Sequence, residues 1–232
     1  MGDVFPNGAV SLTFDDGWRC SYEQGLPILD EAHLPSTHYI ISGCLDDQQF
    51  PRYMNVDHLR DLTARGHEIG CHTASHKRLL TETQRIIEEE ILLSRRYLER
   101  LVGAVETFSY PYGEYDQRIV AVVKRAGFLG ARSVHDGLND EGVDPFLLKC
   151  KAVTARTTFR EVRKWIDAAR HRQAWLVLMF HQIDHEGRTP SCTPEMLGAI
   201  ARYLVDSRIP VVTVRDGLKR TQGEMSAPSS SA

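Results

Sequence analysis

Four short segments gather the residue types that hydrolysis needs. In Thr13-Phe14-Asp15-Asp16-Gly17 two carboxylates stand side by side ahead of a glycine. Such acids are costly near a core unless something positive neutralises them. On a loop they diverge, so one can ligate a cation while the other stays free as a base; the plainer reading is an Asp-Gly turn with one Asp capping the next helix. In Gly70-Cys71-His72-Thr73-Ala74-Ser75-His76 two imidazoles lie four residues apart, a spacing that on a helical turn presents two nitrogens to one cation. With a carboxylate from another strand end this becomes a His2Asp site that keeps positions open for water and substrate. The intervening Glu of zincins is missing, so a base must come from elsewhere, and Asp15 is available. Cys71 reads as a small buried strand residue rather than a thiol nucleophile. Phe108-Ser109-Tyr110-Pro111-Tyr112-Gly113 forms a rigid aromatic turn that can wall a pocket and aim a backbone N–H at an oxyanion, or simply pack its rings. Trp175-Leu176-Val177-Leu178-Met179-Phe180-His181-Gln182 is an apolar run closing on a histidine, a residue more often structural than catalytic in such a place.

The elements that must position these residues are short apolar runs alternating with longer stretches of helical period. Strands are expected at Ala9–Phe14, Thr37–Ile41, His67–Gly70, Thr107–Tyr110, Phe128–Arg132, Leu147–Val153, Leu176–Phe180 and Val211–Val214. Helices are expected at Tyr22–Ala32, Val56–Arg65, Glu82–Leu101, Gln117–Ala126, Phe159–Ala169 and Pro194–Asp206. Thr81 and Thr193 are the expected N-caps of the third and sixth helices, and Gly66, Gly103 and Gly127 the helix stops. Seven or eight strands in strict alternation, with no G-x-G-x-x-G after the first, favour a closed β/α barrel over an open doubly wound sheet. Asp15, Asp16, His72, His76, Tyr112 and His181 then all fall just past strand C-terminal ends, the face where barrel active sites sit. That convergence reads as metal-assisted hydrolysis, with a carboxylate taking the proton of water and a histidine protonating the leaving group. No G-x-S-x-G elbow is present, which disfavours a serine hydrolase.

Composition narrows the partners. The 232 residues carry 28 Lys+Arg against 31 Asp+Glu, a formal charge of −3, too little positive charge to grip nucleic acid or an anionic bilayer. No run approaches a membrane span. Five cysteines without a C-x-x-C pair argue against a disulfide framework or thiolate zinc site. Met1 to Gly8 lacks the basic and apolar regions of a signal peptide, so a cytoplasmic location is expected. Residues 1–220 are expected to form one catalytic barrel, and 221–232 a tail without regular structure.

With Thr13-Phe14-Asp15-Asp16-Gly17 and His72-Thr73-x-x-His76 in hand, the chain from about Ala9 to Leu218 resembles the polysaccharide deacetylases, in a divergent branch. This family comprises carbohydrate esterases on a distorted (β/α) barrel, often seven-stranded. The resemblance implies Asp15 as general base, Asp16, His72 and His76 as ligands of one divalent metal, and His181 as general acid. Zinc is the first choice, with cobalt, nickel and manganese compatible. It also implies that the Tyr112 backbone N–H holds the oxyanion, that Pro111 and Met179 help line the acetyl site, and that the substrate is an N-acetylated sugar in a polymer, glycolipid or small glycoside. Three positions depart from the pattern. Ser109 stands where the family usually has an Arg that partners the catalytic Asp. Met179 replaces a Leu, a volume-conserving change. The Asp-Trp motif after the fifth strand has no counterpart: Asp136 is the nearest acid, and Trp165 is expected to pack on a helix. The alternatives are an O-acetyl esterase or a hydrolase of non-sugar amides and imides on the same site and, from another class, a catalytically inactive glycan-binding barrel.

Overall fold

The strands are three to seven residues long, and most of them are short apolar runs buried along their whole length. The computed structural model describes residues 4–45 and 52–223. Its strands are β1 (Ala9–Phe14), β2 (Thr37–Ile40), β3 (Glu68–Cys71), β4 (Thr107–Ser109), β5 (Gly130–Asp136), β6 (Leu148–Ala152) and β7 (Trp175–Phe180). They pair in chain order and in parallel, and β7 closes on β1 over six residues, from Ala9 opposite Trp175 to Phe14 opposite Phe180. The fold is a closed seven-stranded (β/α) barrel. Outside it lie α1 (Leu26–Glu31), α2 (Val56–Ala64), α3 (Gln84–Val102), α4 (Gln117–Arg125), α5 (Phe159–His171), α6 (Pro194–Ser207) and α7 (Val214–Thr221). Val10, Leu12 and Phe14 face α5 and α6, while Ile69, Cys71 and Phe108 face α2 to α4. Among the described residues no helix is long and apolar enough to cross a membrane.

The alternate strand residues face inward in layers. Register sets Thr37 beside Glu68 and Thr107 beside Gly130; one layer up, Tyr39 lies beside Gly70 and Ser109 beside Arg132. The upper layer supports the catalytic face. Gly70 has to lack a side chain, because a Cβ there would come 2.5 Å from the Tyr39 ring. In the lower layer Glu68 is buried and accepts from Thr37 Oγ1 at 2.8 Å, Thr107 Oγ1 at 2.5 Å and the Arg215 backbone N–H at 2.9 Å. Burial raises its carboxyl, and these bonds partly offset the rise.

Two expectations are corrected. Val211–Val214 is not an eighth strand: Val211 makes an isolated bridge to Val10, and Thr213 then caps α7, its hydroxyl accepting from the Asp216 N–H at 3.1 Å. Since β7 already closes on β1, no strand edge is left for it, and α7 plugs the lower end instead. Gly217 backs onto Trp175 so closely that a Cβ would lie 2.4 Å from the indole. The N-cap of α3 is Thr83, not Thr81; Thr81 ends a 3-10 turn and donates its hydroxyl to the Arg78 carbonyl at 2.9 Å. Thr193 caps α6 as expected. Of the expected tail, Thr221 belongs to α7, and residues 224–232 lie outside the described residues.

Candidate active site

The site is built at the C-terminal ends of the strands. Past β1 the pairing with β7 continues for one residue, the Asp15 N–H donating to the Phe180 carbonyl at 2.9 Å. This step places Asp15, almost wholly buried, beside His181, the residue after Phe180. The chain then turns sharply, with Asp16 at φ 72° and Gly17 at φ 81°. The two acids therefore diverge. Asp16 Oδ2 accepts from the Trp18 indole N–H at 2.9 Å, which fixes the carboxylate so that Oδ1 lies 3.5 Å from Nε2 of both His72 and His76.

His72 follows β3, and its Nδ1 lies 2.7 Å from the Ser109 carbonyl oxygen. A carbonyl can only accept, so Nδ1 carries the hydrogen and Nε2 turns its lone pair toward Asp16. Burial pushes the His72 imidazole down to about 4, with Asp15 and Asp16 opposing the shift, so the ring is neutral at physiological pH. His76 reaches the same point from an irregular loop rather than from the helical turn that the four-residue spacing suggested. Thr73 (φ 67°) and His76 (φ 57°) are left-handed, conformations that cost of order 1–3 kcal/mol each and persist only when the surroundings impose them. Glu90 of α3 supplies that constraint. Its carboxylate accepts from the Ala74 N–H at 3.1 Å, the Ser75 N–H at 2.8 Å and the Ser75 hydroxyl at 2.6 Å.

One ligand atom from each of Asp16, His72 and His76 lies within 4.8 Å of the others. Asp16 Oδ1 is buried without a hydrogen-bond partner among the described residues, with an imidazole lone pair aimed at it. A carboxylate oxygen facing lone pairs is repulsive unless a cation sits between them, so these residues fit a divalent metal with a mixed N/O donor set.

Ser109 shows how the departure at that position is met. Arg132, one strand over and paired in register with Ser109, extends into the barrel, and its Nη2 donates both to Asp15 Oδ2 and to Ser109 Oγ, the latter at 2.6 Å. The small serine leaves room for a guanidinium delivered by β5 instead of β4. Arg132 is fully buried, its Nη1 donating to the Ser133 carbonyl at 3.0 Å and resting 3.0 Å from Met179 Sδ. Burial pushes the Asp15 carboxyl up, but Arg132, His72 and His181 together draw it below its ordinary value. Asp15 Oδ1 has no partner among the described residues.

Pro111 is buried, and Tyr112 stands on a left-handed residue (φ 58°), 47% exposed, its ring 4.5 Å from that of His76 and 4.3 Å from the Arg78 guanidinium carbon. Met179 packs beneath Arg132 and Cys150. Asp136 points away to pair with Lys151, and Trp165 packs against the core. Cys71 is buried against Ser94, its thiol pushed up to about 11 by burial, as suits a structural residue. Sequence reasoning missed Trp18, Arg132 and Glu90. The readable signal for Glu90 was an acid on the apolar stripe of α3, between Ile87 and Ile91; for Arg132, a charge within an apolar strand.

The fold and the site define a barrel whose catalytic face carries a candidate Asp-His-His metal group beside an Asp-Arg pair. Residues 3–131, more than half of the chain, match the sequence model of the polysaccharide deacetylases, and the chain belongs to this family. A poly-β-1,6-N-acetyl-D-glucosamine N-deacetylase of Staphylococcus aureus is 27% identical over 135 residues, which cover 53% of this chain and 47% of that protein. The chain thus spans about half the length of the curated relatives it matches. Among solved structures, a Mycobacterium smegmatis protein assigned to the polysaccharide deacetylases superposes with a TM-score of 0.73 at 16% identity over 97% of this chain and 96% of that one. The Streptococcus pyogenes deacetylase PplD, in complex with acetate, gives 0.64 at 18% identity over 67% and 69%. A mutant of a CE4 family pseudoenzyme with restored enzymatic activity gives 0.67 at 18% identity over 93% and 69%. These likenesses define a shared fold.

Proposed function

We propose that the protein is a metal-dependent N-deacetylase that removes acetyl groups from N-acetylated amino-sugar residues. The observation that carries this reading is the meeting, on one barrel face, of the Asp16, His72 and His76 ligand atoms with the buried Asp15–Arg132 pair one residue away. Asp16, His72 and His76 would hold one divalent cation, zinc by preference, and a bound cation supplies Lewis acidity toward the acetyl carbonyl and the attacking water. Asp15 is the general base. Arg132 occupies its Oδ2, so Oδ1 is the atom left to take the proton from water, and the lowered pKa keeps the carboxylate ionised at neutral pH. His181, on the adjoining strand end, delivers a proton to the leaving amine nitrogen. The backbone N–H of Tyr112 stabilises the oxyanion, and Pro111 and Met179 bound the acetyl site. The similarity to the poly-β-1,6-N-acetyl-D-glucosamine N-deacetylases of Staphylococcus aureus supports N-acetylglucosamine in a polymer as the substrate class.

The test is acetate release from N-acetylglucosamine and its oligomers, with metal stripped by a chelator and then restored. The expected result is release that vanishes on stripping and returns on restoration. Turnover of O-acetyl esters or small amides alone, with none of any N-acetyl sugar, would overturn the substrate assignment. Glycan binding with neither metal uptake nor hydrolysis would turn the reading into an inactive binding barrel.

A further inference from the structure

Two of the three side chains that face the cation site are aimed by a partner outside it. The Ser109 carbonyl does this for His72, and the Trp18 indole does it for Asp16. We propose that Trp18 is a positioning residue that limits Asp16 to one ligand oxygen and so gives the site its preference for zinc over manganese. The inference rests on the metal-dependent reading above and extends it from which residues hold the cation to which cation they select.

A carboxylate can give a cation one oxygen or both. In Asp16 the two oxygens are already divided. Oδ2 accepts from the indole N–H at 2.9 Å, while Oδ1 lies 3.5 Å from Nε2 of His72 and of His76 and has no hydrogen-bond partner among the described residues. That division leaves three protein donors, two imidazole nitrogens and one oxygen, the set that suits four-coordinate zinc with its last position open to water. Were Oδ2 released, the site could engage both oxygens and would move toward the oxygen-rich, six-coordinate sets that favour manganese. The indole N–H is therefore placed where it bears on metal choice.

Trp18 is held for this task by contacts that involve no cation. Its ring stacks on that of Tyr53, with centroids 4.5 Å apart and planes 20° from parallel. Two backbone bonds clamp the turn that carries it, from the Met54 N–H to the Gly17 carbonyl at 2.8 Å and from the Arg19 N–H to the Arg52 carbonyl at 2.7 Å. The Trp18 carbonyl accepts from the Ser21 hydroxyl at 2.6 Å and from the Ser21 N–H at 3.1 Å. With backbone and ring both fixed, the N–H is aimed at Oδ2 before any metal enters, as an outer partner must be if it is to orient a ligand.

The experiment measures zinc and manganese affinities of the full chain by competition against a chromophoric chelator, and records the visible spectrum of its cobalt form. It compares wild type, Trp18→Phe and a protein carrying benzothienylalanine at position 18. That isostere has a ring of the same shape with sulfur in place of the N–H, so it keeps the stack on Tyr53 and deletes only the hydrogen bond; it carries the test if Trp18→Phe does not fold. In both altered proteins zinc affinity should fall roughly 10- to 100-fold, the usual effect of losing an outer partner, while manganese affinity holds or rises. The intense visible bands of four-coordinate cobalt should give way to the weak bands of higher coordination. An unchanged or increased zinc-to-manganese preference in the isostere, or an unchanged cobalt spectrum, overturns the role of Trp18 and leaves the metal site and the deacetylase reading intact. Wild type that binds zinc, with the expected shifts in the altered proteins but no acetate release, upholds the selection and removes the deacetylase reading. Wild type that binds neither ion removes both.

Discussion

Replacing Arg132 with Met removes the only cation bonded to Asp15 among the described residues while keeping a long side chain in the barrel. No ion pair among the described residues is more deeply buried, with side-chain exposures of 1% and 5%. Taking away one partner of a buried ion pair costs about 3–5 kcal/mol, because the other charge is stranded. Asp15 retains the pull of His72 and His181, but burial is the largest influence on it and would then act with its main opponent gone. In wild type the lowered carboxyl contributes stability that is present above the unfolded value near 3.8 and lost as pH falls through the folded value. In Arg132→Met the carboxyl rises instead, so protonation relieves the stranded charge. The stability gap between the two proteins should be widest near neutral pH and close on acidification. Urea denaturation across that range measures the gap, and the pH profile of kcat/KM on the same samples should show its acid limb displaced to higher pH. A loss below about 1 kcal/mol at neutral pH, with the acid limb unmoved, would refute the coupling. The reciprocal variant Ser109→Arg/Arg132→Ser moves the guanidinium back to β4 and should recover part of both losses.

Replacing His72 or His76 with Ala should lower metal content and activity together, as read by elemental analysis beside acetate release; full metal occupancy in the double variant would contradict the ligand set. Glu90→Gln should weaken metal affinity roughly 10- to 100-fold, because the neutral amide holds the 74–75 amides less well and the loop that aims His76 relaxes. A competition titration against a chromophoric chelator checks this, and unchanged affinity would leave Glu90 a purely structural role. Away from the site, His38 and His67 flank Ser36 at 3.0 and 2.7 Å, and burial pushes both imidazoles below 6.5. The unfolded chain then binds protons that the folded protein does not, so stability should fall as pH drops below about 6.5, by up to about 1.4 kcal/mol per pH unit for each histidine. Denaturation midpoints of metal-loaded protein that stay flat from pH 7.5 to 5.5 would contradict this.

Much of the barrel was legible because most of its strands are short, buried runs separated by helices of clear period. The Thr13–Gly17 and His72–His76 segments stood out because acids and imidazoles are rare at the ends of apolar runs. What escaped was set by partners distant in the chain. Val211–Val214 looks like a strand by β-branched content, yet whether a strand edge is free to pair with it depends on β7 having closed on β1. The His72–His76 spacing is equally compatible with a helical turn and with a left-handed loop, and Glu90, sixteen residues past Ala74, decides between them. Arg132 bonds to Asp15 across 117 residues. At Ser109 the local motif shows a missing arginine, and the register of β4 against β5 supplies one.

The central claim is that Asp15 is the base and Asp16, with His72 and His76, the metal site. It is tested most directly by measuring acetate released and metal retained by wild type and Asp15→Asn, on an N-acetylglucosamine oligomer. Wild type should release one acetate for each free amine formed, and Asp15→Asn should release none while keeping its metal. An Asp15→Asn protein that turns over like wild type, or that loses its metal, would contradict that division of roles.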